Sequence, residues 1–547
     1  MDMLPTTLVS AAISATALWV LVRCLQMLYK GHKYGAHQYI IFSEETKWKG
    51  ILPGKTNVPG VVYGNNRVFN AKYSEFLRAG KDAYMQVAVD NSRPNIYIAD
   101  PQAIKSITMQ KQRFTKDLEK VGEVVGMYGH NLASVEGDDW KRHRRETQRA
   151  FNEARIFASR NEKVINQVFT LQKNIRMVWS ETEGVMNSLF EVWDKLNTTE
   201  VRISDVPDMT EMLALLVISA AGFGRRVNWD PADDKTPEGR KMSFSTALRT
   251  VSGNLITRLL IPNWAKDLTK TTRTITTAFS EFGSYLSEMT AARRIGKEND
   301  GSELQEAPHA QVASDSLFNI LLSASDADSG KGQKLSDRDV AGNAFLFLFA
   351  GHETTAHTLS FCLGLLALYP EVQQEVHEQI KQVIGTRDKL EYSDMNDINL
   401  VECVLWEALR LYPVVTQAPK IATEDSVISI ARNSPGATEN TREDFFIPKG
   451  ANIWLSFTAV HYNPTHWSEP EKFRPKRFLE PYNKDAFLAF SIGPRSCLGR
   501  KFAETESIVA LAMLLARYEE REARLLDPIQ TITLVPARLP LVFKPRL

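Results

Sequence analysis

The residue of this chain that is best suited to do chemistry is Cys497, in the segment FSIGPRSCLG that ends at Gly499. The Gly-Pro pair in this segment predicts a tight turn, and Gly499 predicts the start of a following helix. Cys497 then lies at a loop-to-helix junction, where helix N–H groups favour a thiolate, and Arg495 adds positive charge just before it. A thiolate held in this way is a suitable axial ligand for haem iron, and its electron donation favours cleavage of an O–O bond.

The ordinary alternative for a single cysteine is a buried structural residue. Phe, Gly, Arg, Cys and Gly at offsets 0, 3, 5, 7 and 9 of the segment disfavour that alternative for Cys497. The other cysteines, Cys24, Cys362 and Cys403, are scattered along the 547 residues. Such spacing suits a reducing compartment rather than a secreted disulfide scaffold, and it does not match a zinc site.

A second candidate site lies within a long apolar segment that runs from Ser336 to Pro370. Ser336 with Asp339 three residues later predicts a helix N-cap, and Pro370 predicts the stop. A helix of about thirty residues that is apolar almost all round must run through the middle of the protein. Glu353 and Thr354 lie at its centre, where buried polar groups cost free energy unless they are hydrogen-bonded. They either mark an incidental kink or act on a bound molecule.

Further patterns place charged residues on predicted helices. Trp140 and Arg144, in the segment WKRHR, share one helical face because they are four residues apart. Glu407 and Arg410 are three residues apart and predict an ordinary ion pair within a helix, and Arg477 follows in the segment FRPKRF. Each of these patterns is weak when taken alone.

In their order and spacing, the motifs together resemble those of the cytochrome P450 monooxygenases. The resemblance runs from Trp140 to Gly499 and so covers most of the chain. It implies a mainly α structure with minor β, the cytochrome P450 fold, as a single large domain behind an N-terminal transmembrane helix. A composition of 43% hydrophobic and 24% charged residues is that of a folded globular protein and fits this class.

The resemblance also implies a cofactor and the residues that bind it. The cofactor is haem b, with its iron bound by the thiolate of Cys497. Trp140, Arg144 and Arg495 are implied to bind the cofactor, the first two at a haem propionate. Where the family often has Arg or His at a propionate, this chain has Lys420, a point charge without the bidentate guanidinium. The other charged motif residues are implied to form a structural cluster, namely Glu407, Arg410 and Arg477.

Glu353 and Thr354 match the catalytic acid and alcohol of the family. The resemblance implies that they relay protons during oxygen activation and that Gly351 leaves room for dioxygen. His352 and His357 lie on the same helix, but the family pattern gives neither a ligand role. We therefore interpret both histidines as structural.

The implied activity is that of a haem-thiolate monooxygenase, which hydroxylates an apolar small molecule with dioxygen. The sequence shows no flavin or nicotinamide domain, so we expect the electrons of NADPH to arrive through a separate NADPH–cytochrome P450 reductase. Basic residues near Cys497 offer a docking face for that reductase, namely Arg142, Arg145, Arg500 and Lys501. The balance of 66 basic against 65 acidic residues gives no support to nucleic-acid binding.

Two other functions stay open at this stage. One is a P450-like isomerase or dehydratase that rearranges peroxides without a reductase, and the other is a non-catalytic haem-binding membrane protein. The presence of both Glu353 and Thr354 argues against them. For the monooxygenase, Phe347 and Ala350 share a helical face with Thr354 and predict an apolar substrate pocket. The general sequence character resembles fungal cytochromes P450 of specialised metabolism, and a terpenoid is our first hypothesis for the substrate.

The N-terminal segment predicts a single membrane anchor. Twenty uncharged residues from Met3 to Val22 are long enough to span a bilayer core of about 30 Å. Arg23, Lys30 and Lys33 follow the apolar run, so the positive-inside rule places the rest of the chain in the cytosol. A cleaved signal peptide is the alternative, but it needs positive charge before the apolar run. We expect a single-pass protein of the endoplasmic reticulum.

The expected organisation is therefore an anchor at residues 1–30, a Pro/Gly-containing hinge at residues 31–60 and a haem-thiolate catalytic domain at residues 61–547. Within the domain, helices are predicted from Pro370 to Ile384 and from Leu400 to Leu411. Strands are expected to be few, with Asn95 to Ala99 and Asn452 to Phe457 as the candidates.

Overall fold

The structure is a computed structural model, and it describes most of the chain, namely residues 4–41, 66–91, 93–151, 162–227, 229, 236–298, 316–326, 334–433, 441–521, 523, 528–530 and 533–546. Within these residues helices predominate. In chain order the α-helices are α1 (Leu4–Tyr34), α2 (Arg67–Ala71), α3 (Ser74–Ala79), α4 (Pro101–Met109), α5 (Leu118–Val125), α6 (Gly137–Phe151), α7 (Glu162–Lys195), α8 (Val206–Val217), α9 (Phe244–Gly253), α10 (Leu255–Leu260), α11 (Lys270–Glu298), α12 (Leu317–Asp326), α13 (Asp337–Leu368), α14 (Pro370–Ile384), α15 (Asn399–Leu411), α16 (Phe457–His461) and α17 (Arg500–Arg517).

The strands are short. They are β1 (Gln38–Ile40), β2 (Ala83–Ala88), β3 (Asn95–Ile98), β4 (Phe114–Thr115), β5 (Val201–Ile203), β6 (Gln417–Ala422), β7 (Ser426–Ala431), β8 (Arg442–Ile447), β9 (Asn452–Ser456), β10 (Tyr518–Arg521), β11 (Pro528–Gln530), β12 (Leu534–Pro536) and β13 (Leu541–Pro545). A π-helix covers Ile218–Gly222, and 3-10 helices cover Asn263–Ala265, Tyr392–Asn396, Pro475–Leu479, Lys484–Ala486 and Gly493–Arg495.

Contacts within the chain divide it into two compact units. The sheet unit contains the described residues of 1–117, 409–496 and 527–535. The helical unit contains those of 118–408, 497–526 and 536–547. The chain passes from one unit to the other within α15 and again between Ser496 and Cys497.

The sheet unit is built on a six-stranded mixed sheet with the order β1-β2-β3-β9-β6-β4. Near its centre β3 and β9 run parallel, with Asn95 opposite Asn452. These two strands confirm the predicted ones to within one residue at each end. The expected mainly α class with minor β is confirmed. The further strands were not predicted, because strands of two to six residues are too short to show a period of two in the sequence.

Helix α13 provides much of the core of the helical unit. Its N-terminus has the expected capping box, since the Asp339 N–H donates to the Ser336 hydroxyl and the Asp339 carboxylate accepts from the Ser336 N–H, each at 3.1 Å. Phe345 and Phe361 are almost completely buried on it. The helix ends at Leu368, before the predicted proline stop, and the predicted bounds of α14 and α15 are confirmed to within one residue.

Helix α1 extends well beyond the predicted apolar run, to Tyr34. It is long and apolar enough to cross a membrane, and it is the one such helix among the described residues. The chain then turns back, and β1 pairs parallel to β2. The first part of the predicted hinge at residues 31–60 is therefore helix and strand. Its Pro/Gly segment at residues 52–60 lies outside the described residues, and the domain boundaries stay predictions.

Candidate functional site

The segment before Cys497 is shaped by a glycine that no other residue can replace without strain. Gly493 has φ 81°, and a Cβ there would lie 2.9 Å from the Thr108 hydroxyl oxygen. After this 3-10 turn the chain reaches Cys497, and Gly499 is the N-cap of α17. The structure therefore places Cys497 at a loop-to-helix junction, as the sequence predicts.

The surroundings of Cys497 both favour and oppose a thiolate. Cys497 is accessible to solvent although protein atoms surround its sulfur closely, and the Gly499 backbone N–H donates to this sulfur. This hydrogen bond and the positive charges of Arg144 and Arg500 act to lower the pKa of the thiol. Desolvation by the surrounding protein is larger, so the pKa of Cys497 lies above its ordinary value. The hydrogen bond from the start of α17 therefore favours a thiolate in the expected direction, while desolvation acts against it.

Helix α6 brings Arg144 toward this thiol. Trp140 lies one turn earlier on the same face and is largely buried. Burial lowers the pKa of Arg144, while the electrostatic interaction with Cys497 opposes that change. Arg144 is thus close enough to Cys497 to act on it electrostatically, and Trp140 precedes it by one turn of α6.

The centre of α13 presents one face that the protein does not cover. Ala350 is exposed, and Phe347 and Thr354 on the same face are half-buried. The Thr354 hydroxyl donates to the Ala350 carbonyl oxygen at 2.8 Å. A Cβ at Gly351 would meet only Ile218, at 3.6 Å, so packing within the described protein does not require a glycine there.

The hydroxyls around Thr354 are bonded within the helix. Thr355 donates to the Gly351 carbonyl at 2.9 Å, and Thr358 donates to the Thr354 carbonyl at 2.7 Å. The helix is continuous through these bonds, from Asp337 to Leu368. The hydroxyls of Thr354, Thr355 and Thr358 are therefore satisfied by carbonyls of their own helix.

The two histidines of α13 have partners of their own. His352 is buried, its Nδ1 lies 3.0 Å from the Leu348 carbonyl oxygen, and burial lowers its pKa. His357 is buried as well, and its Nε2 lies 3.2 Å from a carboxylate oxygen of Glu211 on α8. The hydrogen bond with His357 is the main cause that lowers the pKa of Glu211. These contacts agree with a structural role for both histidines.

A buried amide connects α13 to α6 and to the loop before it. Asn343 is fully buried, and its Nδ2 lies 2.9 Å from Nδ1 of His143 and donates to the Asp339 carbonyl at 2.7 Å. Its Oδ1 accepts from the Leu132 N–H at 3.0 Å. Because Nδ1 of His143 accepts, the proton of this imidazole is on Nε2, which lies 3.9 Å from Asp339 Oδ1. Burial lowers the pKa of His143, which keeps the ring neutral.

Sequence reasoning missed Asn343, His143 and Glu211. An asparagine inside an apolar helix was a usable signal for the first, since a buried amide needs partners. Glu211 lies within α8, and no motif in the sequence distinguishes it from other glutamates. Its partner His357 is distant in the chain, and only the packing of the two helices brings them together.

Other motif residues lie in the sheet unit. Arg495 belongs to the 3-10 helix Gly493–Arg495, and Lys420 is a buried residue of β6. Arg410 and Arg477 are also buried, and both donate to the Lys472 carbonyl oxygen at 3.3 Å. The two arginines thus converge on one turn of the backbone, which fits the structural role predicted for them.

Each basic residue predicted to dock a reductase has an acidic neighbour at ion-pairing distance. The pairs are Arg142–Asp139 (3.1 Å), Arg145–Glu146 (2.7 Å), Arg500–Glu504 (2.8 Å) and Lys501–Glu504 (3.0 Å). The net positive charge of this face is therefore smaller than the sequence alone indicates, and the docking face stays a prediction.

Comparison with known proteins agrees with this geometry. The cytochrome P450 family model matches residues 70–535. Cytochrome P450 monooxygenase 124 of Postia placenta is 35% identical over 509 residues, which cover 89% of this chain and 90% of the relative. Cytochrome P450 monooxygenase ORF6 of Penicillium roqueforti is 29% identical over 457 residues, which cover 77% of this chain and 73% of the relative.

The fold is similar to that of solved structures. The crystal structure of the cytochrome P450DA heme domain superposes with a TM-score of 0.69 at 20% sequence identity, covering 93% of this chain and 97% of that one. The family model spans most of the chain, and a relative above 30% identity matches it nearly end to end. The chain therefore belongs to the cytochrome P450 family and is a cytochrome P450 monooxygenase.

Proposed function

We propose that Cys497 binds the iron of haem b and that the chain hydroxylates an apolar small molecule, with a terpenoid as the first hypothesis. The observation that carries this proposal is the environment of the Cys497 sulfur. Cys497 is accessible to solvent, the Gly499 N–H donates to its sulfur, and the positive charges of Arg144 and Arg500 act on it, all within the helical unit. The catalytic domain is proposed to be residues 61–547.

The residues around Cys497 fit a haem by the chemistry of their donors. Cys497 would hold the iron as a thiolate, because coordination to a metal cation favours the deprotonated form and would offset the burial that raises the pKa of this thiol. The hydrogen bond from the Gly499 N–H would stabilise the negative charge on the sulfur. Arg144 and Trp140 supply the donors for a propionate, in the helical unit, and we propose Arg495 as a third donor. When bound, the haem supplies the one-electron and dioxygen chemistry of the reaction.

Glu353 and Thr354 are proposed to move protons. In this structure the Thr354 hydroxyl proton is directed at the Ala350 carbonyl oxygen, so Thr354 must release that carbonyl before it donates elsewhere. Glu353 is adjacent and only half-buried, which leaves its carboxylate able to exchange protons with solvent. The proposed pair therefore acts by a change of hydrogen-bond partner within α13.

The substrate is proposed to lie against the uncovered face of α13. Phe347 and Ala350 give this face its apolar character, and Phe347 packs edge-on against Phe151 with ring centroids 4.8 Å apart. An apolar surface of this kind binds hydrocarbon by removing it from water. It suits a terpenoid, whose skeleton offers few hydrogen-bonding groups.

The electrons are proposed to come from NADPH through a separate NADPH–cytochrome P450 reductase, with both proteins on the endoplasmic reticulum. Helix α1 supports the membrane assignment by its length and apolar character. Asn197 begins an Asn-Thr-Thr glycosylation sequon and is exposed. Cytosolic orientation of the catalytic domain predicts that this asparagine carries no glycan when the chain is made in a eukaryotic cell.

Reconstitution with a reductase tests the proposal. Membranes that contain the chain and a fungal NADPH–cytochrome P450 reductase are supplied with isotopically labelled dioxygen and a panel of terpenoids. We expect NADPH-dependent products that carry one labelled oxygen atom. Turnover of peroxides without NADPH would instead identify the isomerase or dehydratase, and carbon monoxide binding without any product would favour the non-catalytic alternative.

A further inference from the structure

Trp406 on α15 contacts both partners of an ion pair on α17. Its indole Nε1 donates to Glu504 Oε1 at 3.3 Å. The same oxygen accepts from Arg500 Nε at 2.8 Å, and Arg500 Cζ lies 5.9 Å from the centroid of the Trp406 ring. Trp406 therefore forms a hydrogen bond with the acid and a cation–π contact with the arginine of one pair. All three residues belong to the helical unit.

Burial makes this pair different from an ordinary surface ion pair. The Glu504 side chain is fully buried, whereas that of Arg500 is 44% exposed. A buried carboxylate costs free energy unless it is paired and hydrogen-bonded. Glu504 meets this requirement with the Trp406 indole, with Arg500 and with Lys501, whose Nζ lies 3.0 Å from the second carboxylate oxygen, Oε2. The buried carboxylate in turn holds the half-exposed Arg500 against the protein.

Arg500 acts on the proposed iron ligand. It is the first residue of α17, directly after Gly499, whose N–H donates to the Cys497 sulfur. Burial is the main cause that raises the pKa of Cys497, and the charge of Glu504 acts in the same direction, whereas the charge of Arg500 lowers this pKa. The position of the guanidinium relative to Glu504 therefore decides how much positive charge acts on the sulfur.

We infer that Trp406 is a positioning residue for Cys497, because it fixes the Glu504–Arg500 pair so that the guanidinium charge acts on the sulfur. This inference rests on the proposed function, in which that sulfur holds the haem iron. A cation near an iron–thiolate pair favours the reduced form of the iron, which carries one positive charge fewer. The network of Trp406, Glu504 and Arg500 therefore raises the reduction potential of the iron and helps it to accept an electron from the reductase.

The alternative is that the cations of α17 act as diffuse surface charge and that Trp406 only fills space between helices. Lys501 provides the matched control, because it carries the same charge as Arg500, is adjacent to it in the chain and pairs with the same carboxylate. Diffuse charge predicts equal effects of Arg500→Gln and Lys501→Gln, and no effect of Trp406→Phe, which changes no charge. A positioned guanidinium predicts a larger effect of Arg500→Gln. It also predicts an effect of Trp406→Phe, which keeps an aromatic ring but removes the N–H donor.

The test is an equilibrium redox titration of the haem in the full-length protein, without a reductase. Arg500→Gln should lower the equilibrium constant for reduction of the iron about tenfold, which is about 59 mV for a one-electron couple. Trp406→Phe should lower this constant about threefold, and Lys501→Gln should change it by less than about twofold. In a chain that already carries Arg500→Gln, Trp406→Phe should have no further effect, because the indole acts through the guanidinium.

Arg500→Lys gives a second measurement that does not depend on the folding of a Trp406 variant. It keeps the charge but not the planar guanidinium, so its reduction potential should lie between that of the parent protein and that of Arg500→Gln. A potential equal to that of the parent protein would overturn the inference, because the position of the guanidinium would then not matter.

Three further results would each overturn the inference. They are equal potentials of the parent protein and Trp406→Phe, equal shifts in Arg500→Gln and Lys501→Gln, and additive shifts in the double variant. With a red-shifted carbon monoxide band in the parent protein, any of these results would leave the proposed function intact. Absence of that band from folded, haem-loaded parent protein would overturn the proposed function, and the inference with it.

Discussion

Cys497 and the centre of α13 both belong to the helical unit, but their polar atoms are bonded in opposite ways. Cys497 is accessible to solvent, the Gly499 N–H donates to its sulfur, and the charges of Arg144 and Arg500 act on it. The hydroxyl of Thr354 is bonded back to its own helix. In the proposed function, Cys497 would bind its ligand with the Gly499 N–H already in place, whereas Thr354 would first have to break its bond to the Ala350 carbonyl.

The largest effect that this comparison predicts follows removal of the Thr354 hydroxyl. Thr354→Ala should lower NADPH-coupled hydroxylation by about 10²-fold or more, since positioned proton transfer contributes about 10²–10⁴-fold. NADPH oxidation should continue with less product. The matched control is Thr358→Ala, one turn further along the same helix, which loses the same type of bond to a carbonyl but is buried. An equal loss of hydroxylation in both variants would show that Thr354 only supports the structure of the helix.

A smaller effect is expected at Arg144, which tests the role of the groups around Cys497. Arg144→Gln removes a cation that acts on Cys497 and a proposed propionate partner. We expect haem affinity, measured by titration of the apoprotein, to fall about 10–100-fold, the range typical of groups that support a metal ligand. Arg144→Lys keeps the charge without the planar guanidinium, so its haem affinity should lie between that of the parent protein and that of Arg144→Gln. Unchanged affinity in Arg144→Gln would contradict the proposed role.

The connection between α6 and α13 predicts a loss of stability. Asn343→Leu leaves the Leu132 N–H without its acceptor inside the protein. We expect a lower free energy of unfolding by about 1–3 kcal/mol, measured by chemical denaturation of the haem-loaded protein. Adding His143→Leu to Asn343→Leu should lower the free energy of unfolding little further, because both partners of the Asn343–His143 contact are then apolar. Additive losses would show that Asn343 and His143 act independently.

The smallest predicted effect concerns the Glu211–His357 contact and its pH dependence. The pKa of Glu211 is lowered mainly by the hydrogen bond with His357, so its carboxylate stabilises the fold above the ordinary pKa of glutamate and loses that contribution as the pH falls through the lowered value. Because the Glu211 side chain is 47% exposed, the effect is small. We expect Glu211→Gln to lower Tm slightly at about pH 7, with the difference shrinking toward about pH 3. A difference that grows in acid would contradict the assigned sign.

The features that were predictable from the sequence are those set by local rules. Ser336 with Asp339 and Pro370 fix the ends of α13, and Gly499 fixes the start of α17, because caps and breakers act within a few residues. These same rules locate Cys497 at its junction. The identity of the fold followed from motif spacing along most of the chain.

The features that were not predictable depend on residues brought together over long distances. The balance at Cys497 could not be anticipated, because the desolvation that raises its pKa comes from the folded surroundings. The contact of Asn343 with His143 joins positions 200 residues apart, and the packing of α1 joins Tyr34 to Phe446. Neither leaves a local pattern in the sequence, since side-chain pairing between helices is set only by tertiary packing.

The central claim is that Cys497 supplies the thiolate of the haem iron. The most direct measurement is the carbon monoxide difference spectrum of the reduced full-length protein beside that of Cys497→Ser. We expect the parent protein to show the red-shifted Soret band that is typical of thiolate-bound haem, and we expect Cys497→Ser to lose it. The same red-shifted band in Cys497→Ser, or its absence from folded, haem-loaded parent protein, would contradict the account.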